Sequence, residues 1–302
     1  MVMNTLREST SLDIQSLPQK LSKLIQERYQ NSLLWQICDN FELKSTLGKI
    51  FVTKKVNDSL TLISKDIEPH LHKIETSITQ EALQDILSMY GAKGEDLLVD
   101  MLGGIMNQAE NEQLMEFIDN NAQQKPDLRL GEVADYIVKI LDRIGQSVIE
   151  MNQFTFETEK AWAIIPKAYA GVFFGYWAGF RMTEEKENQI LYLGKFGHLD
   201  LYVDPRKPVL NHSEFSDAYD DAYALGTYEN YDYVYVGLKN KKLPGYGSLV
   251  YAPYQLQLQE VLDPNTGHHK FFLFNRYGLE TSPFHNIPEN RAMIHKFKIT
   301  RG

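Results

Sequence analysis

A single cysteine, Cys38, is all that 302 residues contain. A disulfide framework needs pairs, and a zinc site built from thiolates needs several, so both are excluded. The lone thiol fits synthesis in a reducing, intracellular compartment. Long apolar runs are missing too. The longest nearly apolar stretch, Ala168 to Phe180, falls short of the roughly 20 residues a membrane-spanning helix needs. The opening MVMNTLREST has no apolar core of a secretory signal. Positive charge is in deficit: 31 Lys and Arg against 40 Asp and Glu leave a net charge of -9. That balance argues against a dedicated nucleic-acid reader and against an electrostatic membrane binder. Motifs that carry chemistry are also absent. The chain has no GxxxxGK[ST], no HExxH and no GxSxG. The two glycines of GYGS at 245–248 lack the third that a dinucleotide loop needs, and they follow a polar loop. No catalytic residue, cofactor or metal is expected.

What is present reads as globular. The chain is 43% hydrophobic, and at this length about 75% of the unfolded surface can be buried. A helical texture comes first. Leu21, Leu24, Ile25, Leu33 and Ile37 fit one face of a helix starting near Pro18. Short β-branched runs between Lys49 and Ile67 flank Asn57-Asp58-Ser59, which predicts a hairpin with little apolar content of its own, projecting from the body. Ser77 with Gln80, or Thr79 alone, caps a short helix that Gly91 and Gly94 stop. A longer helix over about 95–121 carries the stripe Leu97, Leu98, Met101, Ile105, Ala109, Leu114, Phe117 and Ile118. A third helix covers Leu130 to Asn152. Strands follow at AWAIIP, ILYL, LDLYVDP, YDYVYVGL and SLVYAPY. Two further extended runs meet at Asp263-Pro264-Asn265-Thr266-Gly267, a turn whose proline presets φ and whose glycine tolerates positive φ. On that ground Gly267→Val is expected to damage folding more than Thr266→Val. Helices first and strands after give an α+β chain.

Few side-chain groupings invite a chemical reading. Asp96, Asp100, Glu110, Glu112, Glu116 and Asp119 share a face of the long helix, and such a run is usually solvated rather than metal-binding. His70-Leu71-His72 puts two imidazoles on one strand face without an obvious third ligand, while His268 and His269 point to opposite faces. The tyrosines Tyr219, Tyr223, Tyr228, Tyr231, Tyr233 and Tyr235 allow three readings: a central strand, an aromatic subunit interface or a carbohydrate platform.

The block YDYVYVGLKN, a loop, then SLVYAPYQLQLQEVLDPNTGHHKFFLFNRYGLETSPF resembles the C-terminal region of the major capsid proteins of contractile-tailed, T-even-like phages. YAPY, the DPNT turn, RYG and the final PF carry most of the likeness. HKIETSITQEALQDILSMYGAKGEDLLVDMLGGIMNQAENEQLMEFI is similar to the segment that ends in that family's spine helix. GKIFVTKK is similar to the strand leading into its extended loop, and ILYLGKFGHLDLYVDP to a further strand pair. The likeness runs through most of the chain in the right order and is weak over the first 40 residues. It implies the Hong Kong 97-type capsid fold: an N-terminal arm (1–40), an extended loop (41–76), a peripheral domain with the spine helix (77–125), an axial domain (126–254), the peripheral domain's closing ribbon (255–284) and a C-terminal tail (285–302).

The implied function is structural. The protein is expected to assemble as hexamers and pentamers into the icosahedral head that encloses double-stranded DNA. Portal, scaffold, vertex or decoration proteins are its implied partners. DNA contact would be non-specific and no membrane would be involved. The virion capsid, put together in the host bacterial cytoplasm, is the implied location. Candidate subunit contacts are Lys54, Asn57, Asp58 and Lys65 on the hairpin, Tyr231, Tyr233 and Tyr235, and Arg291, Lys296, Lys298 and Arg301 in the tail. Deleting Asn57 to Lys65 is expected to leave a folded subunit that does not assemble.

Three departures from the family are visible. The gap between Lys54 and Lys73 leaves no room for the family's insertion domain. The chain continues past PF through HNIPENRAMIHKFKITRG, which would pair with an acidic neighbour, face DNA or simply fray. The Leu/Ile-x-Glu pattern of the family's maturation protease occurs at Leu6-Arg7-Glu8, Ile25–Glu27, Leu114–Glu116, Leu130–Glu132, Leu258–Glu260 and Ile287–Glu289, too often to decide anything. Assembly without N-terminal trimming is the expectation, and a virion chain starting at Ser9 would overturn it. Alternatives are the pentameric vertex protein or an encapsulin shell of the same fold and, from another class, an enzymatic or carbohydrate-binding domain using the tyrosines.

Overall fold

The computed structural model describes residues 32–56, 59–90, 92–131, 136–152, 160–166, 169–170, 173, 192–206, 233–266, 268–285 and 292–301. The expected helix from Pro18 lies mostly outside them. Ser32 caps a short helix, Leu33–Ile37, by accepting the Trp35 N–H at 3.5 Å. Strand β1 (Asp39–Asn40) follows. Strands β2 (Gly48–Val56) and β3 (Ser59–Ile67) form the expected hairpin, with Val56 opposite Ser59, so Asn57 and Asp58 connect them and themselves fall outside the described residues. Strand β4 spans His70–Thr79. Thr79 Oγ1 then accepts the Ala82 N–H at 3.0 Å, which starts the helix Gln80–Tyr90. The long spine helix spans Ala92–Asn121. Its 30 residues extend about 45 Å, and it takes in Gly94, which the sequence reading had placed at a stop.

Strands β5 (Gln123–Gln124) and β6 (Leu128–Leu130) come next, then the helix Tyr136–Asn152. Leu130 is therefore the end of a strand and not the start of the third helix. Strands β7 (Lys160–Ile165), β8 (Tyr192–Phe196), β9 (Leu199–Val203) and β10 (Tyr233–Lys239) match the strand runs read from the sequence. Strands β11 (Leu249–Leu262) and β12 (His268–Thr281) make the long ribbon, and β13 (Ile294–Arg301) closes the chain.

Two sheets organise these strands. The ribbon is the centre of a four-stranded sheet ordered β1-β11-β12-β4. Its register runs from Leu249 opposite Thr281 to Leu262 opposite His269, with an irregularity between Pro253 and Gln255. The second sheet runs β5-β13-β10-β7-β9-β8, with β6 beside β13. Strand β13 is thus an inner strand. His295, Phe297 and Ile299 are buried while Lys296, Lys298 and Thr300 alternate with them. Of the three readings the sequence allows for these residues, fraying is the one this placement overturns.

The core has two parts. Leu34, Ile37, Leu114, Met115, Ile118, Tyr251 and Phe271 pack between the spine helix and the ribbon. Ile137, Ile140 and Ile144 of the helix Tyr136–Asn152 pack on Ala163, Val234, Val236 and Phe297. Among the described residues the large buried side chains of the spine helix, Leu114, Met115 and Ile118, lie in its C-terminal half. Leu97, Met101 and Ile105, expected in the core, are exposed. Glu110, expected on the solvated face, is buried and accepts a hydrogen bond from Asn275 Nδ2 on β12.

Candidate assembly interface

The hairpin β2–β3 is fixed at its root and open along its arm. Ile50, Val52 and Ile67 are buried at the root. Lys65 Nζ reaches Glu280 Oε2 at 3.1 Å and donates to Thr281 Oγ1 at 2.6 Å. The Thr53 N–H donates to Tyr246 Oη at 3.0 Å. Gly245, at φ +94°, lets the 240–247 loop close over this root, since a Cβ there would lie 2.6 Å from Ile50 Cγ2. Further out, Phe51, Leu60 and Leu62 stand 53%, 74% and 63% exposed. Large apolar side chains held this way on an anchored ribbon are what interaction surfaces present.

The spine helix offers a second apolar strip. Leu97, Met101 and Ile105 sit at i, i+4 and i+8, one above the other on a single face. Met89 on the preceding helix is also exposed. A third lies at the ribbon tip, where Val261 and Leu262 are exposed. There Asp263 organises the turn. Its carboxylate accepts the Asn265 N–H at 2.9 Å and meets Lys270 Nζ at 2.9 Å, and these bonds hold it down at about 2. Thr266 Oγ1 accepts the His268 N–H, while Gly267 lies outside the described residues.

The candidate contacts read from the sequence divide. Lys54 lies on β2 opposite Thr61. Lys65 is engaged inside its own subunit. Tyr231 and Arg291 lie outside the described residues. Tyr233 is half-buried, with Lys296 Nζ 5.5 Å above its ring. Tyr235 is wholly buried on β10, which corrects its place at an interface: it belongs to a central strand. Its hydroxyl donates to Asp119 Oδ1 at 2.8 Å, and Lys296 Nζ reaches the same oxygen at 2.8 Å. Burial pushes the Asp119 carboxyl up, but the bonds from Lys296 and Tyr235 outweigh it and hold the group below its ordinary range. Lys296 thereby joins β13 to the spine helix. Lys298 sits opposite Tyr233, and Arg301 opposite Leu130.

The polar joint at Asp39 was not visible in the sequence. Its buried carboxylate accepts the backbone N–H groups of Asn240 at 2.6 Å, Gly245 at 2.9 Å and Gly247 at 2.7 Å. Burial raises this carboxyl to about 7 against those three bonds. Beside it, Lys239 Nζ caps the short helix through Trp35 O at 2.5 Å and Gln36 O at 2.9 Å. All the partners lie about 200 residues away in sequence, so no local signal marks them.

Among the described residues no group of His, Cys, Asp and Glu is placed to hold a metal. His72 instead stacks on Tyr277 at 4.2 Å. Among the same residues no helix is long and apolar enough to cross a membrane. What the surfaces offer is contact.

Residues 170–299 match the family described as major capsid protein Gp23. No curated protein matches the chain. Among solved structures the chain is similar to the virus-like particle from Pyrococcus furiosus, with a TM-score of 0.54 and 14% identity, over 94% of this chain and 98% of that one. It is also similar to the capsid of an empty GTA particle, with a TM-score of 0.50 and 14% identity, over 89% and 90% of the two chains. At such identities the likeness concerns the fold, which is the Hong Kong 97-type capsid fold. The family match runs to residue 299, within β13. The stretch beyond PF is therefore part of the family pattern and not an addition to it.

Proposed function

We propose, from the premise that this chain is a structural phage capsid protein with the Hong Kong 97-type fold, that it is the major shell subunit. Copies of it associate as hexamers and pentamers into the icosahedral head of a tailed phage around double-stranded DNA. The observation that carries this is the exposed apolar set on anchored elements: Phe51, Leu60 and Leu62 on the hairpin, and Leu97, Met101 and Ile105 on the spine helix. In a single subunit these side chains face water at a cost. A neighbouring copy that covers the hairpin arm recovers about 1.5–3 kcal/mol for each large side chain fully buried. Repeated around a capsomer, such contacts give a shell its cohesion without any chemistry.

The net charge of -9 fits this role. An inner wall must enclose DNA without gripping it, and an acidic protein has little affinity for phosphate. Portal, scaffold and vertex or decoration proteins are the further partners we propose, with assembly in the cytoplasm of the bacterial host. Electron microscopy of virions, with mass analysis of their shell proteins, tests the reading. Icosahedral heads whose dominant protein is this 34.9 kDa chain are expected. Heads built from other proteins, without this chain, would overturn it.

A further inference from the structure

The outer edge of β11 is covered over only part of its length. Strand β1 pairs with it in parallel at Val250 and Tyr251. The chain then keeps contact through Phe41 N–H to Tyr251 O at 2.9 Å and Leu43 N–H to Pro253 O at 3.4 Å, and departs. On its other side β11 stays paired with β12 as far as Leu262. From Tyr254 to Gln259 the described residues give the outer edge no strand partner. A cleft of about 420 Å³ opens where β1 leaves, lined by Trp35, Phe41, Leu43, Tyr254 and Leu256 among others.

Among the described residues nothing blunts the edge over Gln255–Gln259. Free edges are normally protected by lysine, proline or a bulge. Here the proline and the irregularity both lie at Pro253/Gln255, ahead of the open stretch, and Gln255-Leu256-Gln257-Leu258-Gln259 carries no charge. The same five residues read identically in both directions. An antiparallel pairing of two such edges about a two-fold axis at Gln257 sets 255 opposite 259 and 256 opposite 258. Glutamine meets glutamine, leucine meets leucine, and Tyr254 meets Glu260, so no like charges face each other. Gln255, Gln257 and Gln259 are exposed, and an amide side chain both donates and accepts, so it complements its own kind.

We infer that the edge Gln255–Gln259 of β11 pairs with the same edge of a second copy of this chain, antiparallel and two-fold about Gln257. The pairing joins two four-stranded sheets into one across the contact and satisfies the open backbone groups. It is isologous, with one patch serving both partners.

Cysteine pairing in the full-length chain tests this. Residues directly opposite in an antiparallel pair have Cα atoms about 4.5–5.5 Å apart, within disulfide reach. Gln257→Cys faces its own counterpart. Gln255→Cys is four residues out of register with its counterpart, roughly 14 Å along the strand. Cys38 is wholly buried and does not compete. Under mild oxidation of particles or of the concentrated soluble protein, Gln257→Cys is expected to run mainly as a covalent dimer and Gln255→Cys as monomer. A mixture of Gln255→Cys and Gln259→Cys chains regains the dimer. Gln257→Lys, with its two cations opposed, is expected to weaken association, and mixing it with Gln257→Glu restores it. No dimer from Gln257→Cys, or an equal yield from Gln255→Cys, overturns the inference; occupation of the edge by residues 1–31 or by another protein gives the first of these results. The crosslink is read whether or not shells close, so its failure is distinct from failure of the shell reading.

Discussion

Gly237 and Trp162 face each other on the neighbouring strands β10 and β7, at the centre of the larger sheet. The indole lies across the glycine. A Cβ at position 237 would fall 2.1 Å from Cζ2 and 2.5 Å from Cε2 of that ring, where carbon atoms settle at about 3.5–4.0 Å. Trp162 is 1% exposed, and its Nε1–H donates to Leu238 O at 3.2 Å. The ring cannot retreat by the roughly 1.4 Å needed without breaking that bond or crushing a neighbour. Overpacking costs about 1–3 kcal/mol and the lost hydrogen bond about 1 kcal/mol more. Gly237→Ala is therefore expected to destabilise the unassembled subunit by about 2–4 kcal/mol, read as a lower urea midpoint at unchanged slope. Trp162→Leu alone costs a cavity of about 3 kcal/mol. In its background the new methyl group enters vacated space, so Gly237→Ala should cost less than about 0.5 kcal/mol there. A neutral Gly237→Ala, or additive effects in the double variant, would refute the proposed fit between ring and glycine.

Asp39→Ala leaves three buried N–H groups without an acceptor and is expected to cost about 3 kcal/mol or more, with early proteolysis in the 240–247 loop as the local readout. Replacing residues 54–61 by a short turn keeps the root at Ile50, Lys65 and Ile67; the subunit should unfold at its normal urea midpoint yet form no particles, and normal particles would contradict the role given to the hairpin arm. His295 is held down at about 4, mainly by burial, so the folded state favours its neutral form. The stability this gives is present above the ordinary value of about 6.5 and is lost as pH falls toward 4. His295→Leu should flatten that acid limb in urea midpoints measured between pH 7 and pH 4, and an unchanged slope would show that other groups govern it.

Elements with a local signature were legible in the sequence. The hairpin announced itself through its turn residues, the ribbon through Asp263-Pro264-Asn265, the Gln80–Tyr90 helix through Thr79, and strands β7 to β10 of the larger sheet through their apolar and aromatic runs. What failed were placements that depend on distant partners. Only the start of strand β4, His70-Leu71-His72, was read as extended, because the rest of His70–Thr79 mixes polar and apolar residues with no clean period and owes its strand state to pairing with β12. The C-terminal residues were weighed by their lysines, although His295, Phe297 and Ile299 alternate with Lys296 and Lys298 as a half-buried strand does. Leu97, Met101 and Ile105 have the spacing of a core stripe, and spacing cannot say whether a subunit supplies its own cover. In an assembling protein that ambiguity is physical, because an interface strip and a core strip obey the same periodicity. The hairpin and its exposed arm were readable, whereas Tyr235 and Lys65, candidate contacts in the sequence, are engaged inside the subunit.

The internal polar joints bear on how such surfaces stay usable. An exposed aliphatic strip binds a neighbour only if the elements carrying it hold a fixed relative position. The larger sheet meets the spine helix at Asp119, where groups from β10 and β13 converge on one carboxylate. The ribbon meets the same helix at Glu110 with Asn275 and at Gln113 with Tyr277. Apolar packing alone tolerates sliding, because its strength depends on area and little on direction. Hydrogen bonds are directional, and a displaced ribbon would strip the buried Glu110 carboxylate of its bond from Asn275, at more than the cost of a lost apolar contact. These joints sit where each sheet crosses the spine helix, so they fix the angle between the two sheets. In the shell we propose, an error in that angle would repeat at every contact, so these bonds would serve geometry more than stability.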